Sequence, residues 1–219
     1  MGRAWATLLA LLAPSAGAWP QKIVFFRHAE KADGLDNGGL TAAGAQHASD
    51  WADFFTSVRD GEDHVGALSK NDVGLVAMRQ KPGFKKTGYA HSNRPWLTLQ
   101  PLAKKLQLSV DQNFTVAQSK EVAAAVAQGQ GKLVLVCWEH DSIPLIVNEL
   151  LHLLKSAQAW ERPSGQRLFW NRDFKSPNDP LDFDTVWVLD TEKRTLVAQT
   201  GCHVDAAKAE QRVYAQLKL

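Results

Sequence analysis

The segment KIVFFRHAEK, residues 22–31, decides the fold, because it joins an unbroken apolar run to a cluster of charged and imidazole side chains. The bulky apolar residues 23–26 are typical of a buried parallel strand, which is covered on both faces. Arg27 and His28 stand where this strand ends, and open α/β sheets bind their ligands at that edge. A surface Arg-His pair at a strand terminus is the alternative interpretation, and the rest of the chain decides between the two.

Helix signals follow this strand at several places. Pro95 starts one helix, residues 119–128 form another with Ser119 as its cap, and Pro144 opens a further one. Thr41 can cap the earliest helix. The apolar face of that helix is predicted to consist of Ala45, Ala48, Trp51 or Ala52, and Phe55.

Strand signals alternate with these helices. The predicted strands are residues 132–138, a segment that ends near 89–90, and a hairpin of 184–189 and 195–198. Residues 59–83 are predicted to be irregular apart from a short apolar piece, and residues 160–182 to be a long loop. The alternation predicts a three-layer α/β/α sandwich with a mostly parallel central sheet. We expect a single domain that spans residues 19–219.

Residues 1–18 are typical of a secretory signal peptide. Arg3 precedes a short apolar run, and Ala16-Gly17-Ala18 fits the small-x-small pattern of a cleavage site, so Trp19 is expected to begin the mature chain. The apolar run is too short to span a bilayer, and no later segment is long enough. A retained anchor is the alternative. We therefore expect a secreted protein or one of the secretory pathway.

Composition narrows the possible partners. The formal net charge is +2, from 25 basic and 23 acidic residues, and basic side chains form no long run. Nucleic acid is therefore not an expected partner. The seven histidines and two cysteines show no metal-ligand spacing, so we expect no metal and no cofactor. Cys137 and Cys202 could form a disulfide or remain buried thiols, and nothing in the sequence points to a particular oligomeric state.

The residues with chemical potential fall at strand-to-helix transitions. Arg27 and His28 end the first strand, Arg94 precedes Pro95, and His140 and Asp141 follow the strand at 132–138. Because the carboxyl ends of parallel strands meet along one edge, we expect these side chains to converge. Arginines hold phosphate oxygens, a neutral imidazole can attack phosphorus, and a carboxylic acid can protonate a leaving alcohol. The set predicts a site for a small phosphorylated substrate.

The same residues resemble the motifs of the histidine phosphatase superfamily, whose fold is phosphoglycerate mutase-like. Arg27-His28-Ala29-Glu30 resembles its Arg-His-Gly-Glu signature, with Ala29 in place of the usual glycine. The other similar segments are Leu40-Thr41-Ala42-Ala43-Gly44, Ser92-Asn93-Arg94 followed by Thr98, Val136-Cys137-Trp138-Glu139-His140, and Phe183-Asp184-Thr185-Val186-Trp187-Val188-Leu189. The resemblance covers about residues 22–200 and is most similar to a branch with Arg-His-Ala-Glu-Lys and Trp-Glu-His motifs.

This resemblance implies a metal-independent phosphomonoester hydrolase in which His28 is the nucleophile. Arg27 and Arg94 would bind the phosphoryl group, and His140 would stabilise it in the transition state. The proton donor has two candidates, Asp141 and Glu121, of which Asp141 is favoured because it adjoins His140. Their structural alternatives are a helix cap and a solvated helix face. A mutase-type phosphotransferase and a catalytically inactive phosphate-binding protein of the same fold are the alternative functions.

Overall fold

The computed structural model describes residues 19–30, 38–57, 68, 70–79, 93–129, 133–158, 183, 185–200 and 212–218. Strands and helices alternate along most of this part of the chain. The elements are β1 (Lys22–Arg27), α1 (Ala42–Thr56), β2 (Val73–Ala77), α2 (Arg94–Leu106), α3 (Ser119–Ala127), β3 (Leu133–Trp138), α4 (Ile143–Gln158), β4 (Val186–Asp190), β5 (Thr195–Thr200) and β6 (Arg212–Lys218).

The strands form one sheet in the order β2-β3-β1-β4-β5-β6. Strands β2, β3 and β1 run parallel, with Lys22 opposite Leu133 and Arg27 opposite Trp138. Strand β4 pairs antiparallel with β1, and β5 and β6 continue in antiparallel fashion. The parallel strands β1 and β3 therefore lead into the Arg27-His28 and His140 motifs, and the hairpin of β4 and β5 lies where the sequence predicts it.

Helices cover both faces of this sheet, which confirms the three-layer α/β/α prediction. Side chains alternate along a strand, so β1 sends Ile23 and Phe25 to one face and Val24 and Phe26 to the other. The first pair packs with α3 and α4, whereas the second pair packs with α1 and α2. Every side chain of β3 is buried, as expected of a strand covered on both sides.

Several local predictions need correction. Ala45 is exposed, because the buried stripe of α1 is turned toward Gly44 and His47, which face the end of β1. Ser119 is the first residue of α3 and not its cap; Gln118 occupies the cap position without a side-chain hydrogen bond. Strand β6 has no counterpart in the sequence predictions. The apolar piece within residues 59–83 is the edge strand β2.

Trp19 and Pro20 attach the chain to the sheet just ahead of β1. Trp19 packs against the core on the α3 and α4 side, and the carbonyl of Pro20 accepts a 2.7 Å hydrogen bond from the hydroxyl of Thr191.

The predicted signal peptide, the strand near 89–90, the loop 160–182 and Cys202 lie outside the described residues. Cys137 is a free, buried thiol. Within the described part, no helix is long and apolar enough to cross a membrane.

Candidate active site

The parallel pairing of β1 and β3 brings the two histidine motifs side by side. Arg27 is level with Trp138, and the backbone N–H of His28 donates to the carbonyl of Trp138 at 3.3 Å. The chain leaves both strands at this level, so His28 and His140 emerge at the same edge of the sheet. This is the carboxyl edge, where parallel α/β sheets place their sites.

Arg94 reaches the same edge from the first residue of α2. Arg27, His28 and Arg94 are each about nineteen-twentieths buried, with exposed fractions of 5%, 4% and 5%. The charges of Arg27, Arg94 and His140 all act on His28. The structure thus brings together the four cationic or imidazole side chains that the sequence singled out, although they lie up to 113 residues apart in the chain (140 − 27).

His28 is neutral in this environment. Burial is the largest cause that lowers its pKa, from the usual 6.5 to about 3, and the charges of Arg27, Arg94 and His140 lower it further. The hydrogen bond from Nδ1 to the carbonyl of Ala29, 2.8 Å long, acts in the opposite direction. A carbonyl can only accept, so Nδ1 carries the proton and Nε2 retains its lone pair. This is the protonation state that a nucleophilic imidazole requires.

An aromatic ring supports the Arg27 guanidinium. Its central carbon lies 4.1 Å from the centre of the Phe183 ring, which is a cation–π distance. The same ring lies 6.4 Å from the imidazole of His28. Phe183 belongs to the late segment that resembles the family, yet the sequence analysis assigned it no role; the signal was only its position ahead of β4.

A buried histidine in contact with a carboxylate lies next to the Arg27-His28 motif. Nδ1 of His47, on α1, lies 2.8 Å from both carboxylate oxygens of Glu30, and its ring stacks on Trp51. This contact ties α1 to the segment that directly follows the Arg27-His28 pair. Gly44 makes the approach of α1 possible, because a Cβ there would overlap the carbonyl oxygen of Glu30.

The two carboxylate candidates occupy different surroundings. The Asp141 side chain is 85% exposed, and its Oδ1 lies 3.3 Å from Nε2 of His140, which is 27% exposed. Glu121 is an exposed residue in the first turn of α3. Among the described residues, no hydrogen bond or ion pair links Glu121 to His28, His140 or the two arginines. Proximity therefore favours Asp141.

Thr98 is a buried polar residue that the sequence analysis quoted but gave no function. The residue is 1% exposed, and its hydroxyl accepts a hydrogen bond from the backbone N–H of Ala29 and donates one to the carbonyl of Arg94, each 2.9 Å long. The available signal was its spacing of four residues from Arg94, one helical turn away on the same face.

Within the described residues, no group of three or more His, Cys, Asp or Glu side chains could hold a metal ion.

Comparisons with known proteins add distant likenesses. No protein-family model and no curated protein matches the chain. A structure from Nakamurella multipartitia, assigned as the phosphohistidine phosphatase SixA, is 19% identical with a TM-score of 0.43, over 90% of this chain and 95% of that one. The corresponding SixA structure from Agrobacterium tumefaciens is 17% identical with a TM-score of 0.39, over 78% and 89%.

A third similar structure is an alpha-ribazole-5'-P phosphatase from Escherichia coli. It is 13% identical with a TM-score of 0.46, over 85% of this chain and 99% of that one. At these identities the chemistry of the site is argued from its own residues. Two of these solved structures are assigned as phosphohistidine phosphatases and the third as a phosphatase of alpha-ribazole-5'-P.

Proposed function

We propose that this chain is a phosphomonoester hydrolase that acts through a phosphohistidine intermediate on His28. The observation that carries the proposal is a neutral, buried imidazole among two arginines and a second histidine at the carboxyl edge of the parallel strands. A phosphate monoester carries negative charge on its non-bridging oxygens, which cations in a site sheltered from water stabilise strongly. A surface Arg-His pair would be neither buried nor joined by a second arginine.

In the proposed first step, Arg27, Arg94 and His140 hold the phosphoryl oxygens. Nε2 of His28 donates its lone pair to phosphorus while the bond from phosphorus to the leaving oxygen breaks, and the leaving alcohol takes a proton from a carboxylic acid. In the second step a water molecule attacks phosphorus, the bond to Nε2 breaks, and the same carboxylate accepts a proton from the water. No charge has to be created on His28 before it attacks.

Asp141 is the proposed proton donor, and Glu121 is the alternative. The contact between Asp141 and His140 supports this choice, because His140 is one of the groups proposed to hold the phosphoryl oxygens. Its high exposure also suits a residue that must exchange protons with solvent. Glu121 would have to reach the phosphate from the first turn of α3.

The location of the protein is part of the proposal. Export is supported by the signal-like residues 1–18 and by the attachment of Trp19 and Pro20 to the folded domain, directly after the predicted cleavage site. The expected substrate is a small phosphorylated compound; nucleic acid is not an expected partner, and no membrane span is expected. Amino-terminal sequencing of the protein secreted by a eukaryotic host tests the location: the expected first residue is Trp19.

The deciding experiment traps the intermediate. The purified protein is mixed with a labelled phosphate ester without added metal and quenched within milliseconds in acid or in alkali. Phosphohistidine survives alkali and decays in acid, so label should remain only after alkaline quenching and should map to His28. H28N should abolish both label and turnover. H152N is the matched control, because His152 is an exposed residue on α4.

The alternatives give different results in the same assay. A mutase-type phosphotransferase would label His28 but return phosphate to an organic acceptor and release little inorganic phosphate. A phosphate-binding protein would bind inorganic phosphate, dependent on Arg94, and form no label on His28. Label on a residue other than His28 would contradict the proposal directly.

A further inference from the structure

The hydroxyl of Thr98 joins two parts of the site that are far apart in the chain. It accepts a hydrogen bond from the backbone N–H of Ala29, next to His28, and donates one to the carbonyl of Arg94, both 2.9 Å long. A hydroxyl has one proton to donate and two lone pairs to accept with. These two bonds therefore use different capacities of the same oxygen and can exist together.

The Ala29 peptide continues this connection to the nucleophile. Its N–H is held by Thr98, and the carbonyl of the same residue accepts the 2.8 Å hydrogen bond from Nδ1 of His28. A continuous path of hydrogen bonds thus runs from the Arg94 backbone through Thr98 and Ala29 to the imidazole. Each group in this path is buried, so water does not compete for these bonds.

Cys137 on β3 completes the surroundings of the hydroxyl. Burial raises the pKa of the Cys137 thiol well above its usual range, and a hydrogen bond with Thr98 acts in the opposite direction. The thiol therefore stays protonated. The Thr98 side chain on α2 thus lies beside the Ala29 peptide that follows β1 and beside Cys137 on β3, close to the segments that carry His28, Arg94 and His140.

We infer that Thr98 is a positioning residue for the proposed phosphoryl transfer: its hydroxyl holds the Ala29 peptide, and that peptide orients the His28 imidazole toward a phosphate bound by Arg94. The inference rests on the proposed function and adds to it a residue that touches neither the substrate nor the reacting atoms. Thr98 sets both the direction of Nε2 and the tautomer that leaves its lone pair available.

Loss of the hydroxyl has a defined physical consequence. The Ala29 N–H would lose its partner in a buried setting, and the peptide would relax toward another acceptor. The carbonyl that orients His28 would move with it. A nucleophile displaced by about 1 Å from its attack position can lose about 100-fold in rate. Arg94 would keep its side chain, so substrate binding should suffer much less than the chemical step.

The test compares T98S with T98A, which lack the same methyl group and differ only in the hydroxyl. We expect T98A to lower kcat about 100-fold with KM changed less than about threefold, and T98S to retain kcat within about threefold. T56A is the matched control, because the Thr56 hydroxyl makes a similar 2.8 Å bond to the carbonyl four residues earlier in α1. T56A should keep the wild-type kcat. Thermal unfolding of each variant gives the folded fraction used to correct kcat.

A second readout does not depend on turnover. In nitrogen NMR of protein with labelled histidine, the wild type should show His28 with a protonated Nδ1 and an unprotonated Nε2, as should T98S. T98A should show a mixture of the two tautomers. Equal kcat in T98A and wild type, or equal losses in T98S and T98A, would overturn the inference while leaving the hydrolase proposal intact. If the wild type itself proves inactive, the hydrolase proposal fails and the tautomer signals alone decide the role of Thr98: unchanged signals in T98A overturn it.

Discussion

Helices α1 and α2, on one face of the sheet, bury His47, Arg94 and Thr98, whereas α3 and α4 bury only apolar side chains among their described positions. All three buried polar residues connect to the end of β1: His47 through Glu30, Thr98 through Ala29, and Arg94 through its charge on His28. The α3 and α4 face consists of aliphatic side chains packed with Trp138 and Trp187. The comparison teaches that one face builds the site and the other mainly stabilises the sheet.

The largest difference should come from the charges on the site-building face. R94A is expected to lower kcat/KM about 1,000-fold, or ~4 kcal/mol, because one preorganised cation for the phosphoryl oxygens is lost. R79A is the control, since the exposed Arg79 side chain donates to the carbonyls of Gln112 and Asn113, away from the site. Initial rates on p-nitrophenyl phosphate measure both. A similar loss in both variants would show that general surface charge, and not the site, is responsible.

Replacing one buried leucine by alanine on each face tests whether the two faces differ in their effect on catalysis. L99A on α2 and L150A on α4 remove side chains that are 1% and 0% exposed, and each should cost about 2–5 kcal/mol of unfolding free energy. L150A should keep the wild-type kcat per folded molecule. L99A should lower it about tenfold, because Leu99 follows Thr98 and anchors the turn that carries it. Urea unfolding and kcat at low temperature separate the effects; equal kcat in both variants would contradict the division.

The two carboxylate candidates lie in different segments, Asp141 in the turn between β3 and α4 and Glu121 in the first turn of α3. D141N should lower kcat about 100-fold on an alkyl phosphate, whose poor leaving group needs a proton, and far less on p-nitrophenyl phosphate. E121Q should leave both rates within about twofold, since Glu121 lies in the first turn of α3 on the stabilising face. The ratio of the two substrates' kcat values is the measurement. The opposite result would make Glu121 the donor and give α3 a part in the chemistry.

The last prediction concerns the pH dependence of stability. The pKa of His28 is 6.5 when the chain is unfolded and about 3 when folded, chiefly because of burial. Between these two values the unfolded chain binds one proton more than the folded chain. The unfolding free energy therefore falls as the pH is lowered through this window, by up to ~1.4 kcal/mol per pH unit, and is unaffected by His28 above pH 6.5.

H28N removes that proton-binding group from both states. The difference in unfolding free energy between wild type and H28N should therefore change between pH 6.5 and pH 4 and remain constant above pH 7. Urea titrations at a series of pH values measure it. A constant difference over the whole range would mean that His28 takes up a proton as readily in the folded protein as in the unfolded one.

Local chemistry explains which parts of the fold could be predicted. The side chain of Thr41 caps α1 by accepting a 2.9 Å hydrogen bond from the N–H of Gly44, three residues later. A cap of this kind can be recognised from the local sequence alone. Arg27, His28 and His140 were located because the ends of apolar strands can be read from a few residues. In contrast, His47 was not recognised as part of the site region, since its partner Glu30 is 17 residues away and outside the helix.

Other differences have a similar origin. Alanine occurs both in cores and on surfaces, so the sequence around Ala45 does not decide whether this residue is buried. Its exposure follows from Gly44, which packs closely against the Glu30 backbone and so sets which face of α1 meets the sheet. Strand β6 depends on pairing with β5, and nothing within residues 212–218 themselves requires an extended chain. Thr98 needed knowledge of where the N–H of Ala29 points. Such contacts between distant segments become visible only once the sheet is assembled.

The bond from Thr191 to Pro20 has a practical consequence for anyone who handles this protein. It holds the start of β1 at the margin of the sheet opposite Arg27, about 20 Å away along a strand of six residues. An affinity tag or fluorophore fused ahead of Trp19 would leave the molecule at the edge of the sheet opposite Arg27, His28 and Arg94. Labelled and unlabelled preparations should therefore be interchangeable in kinetic work.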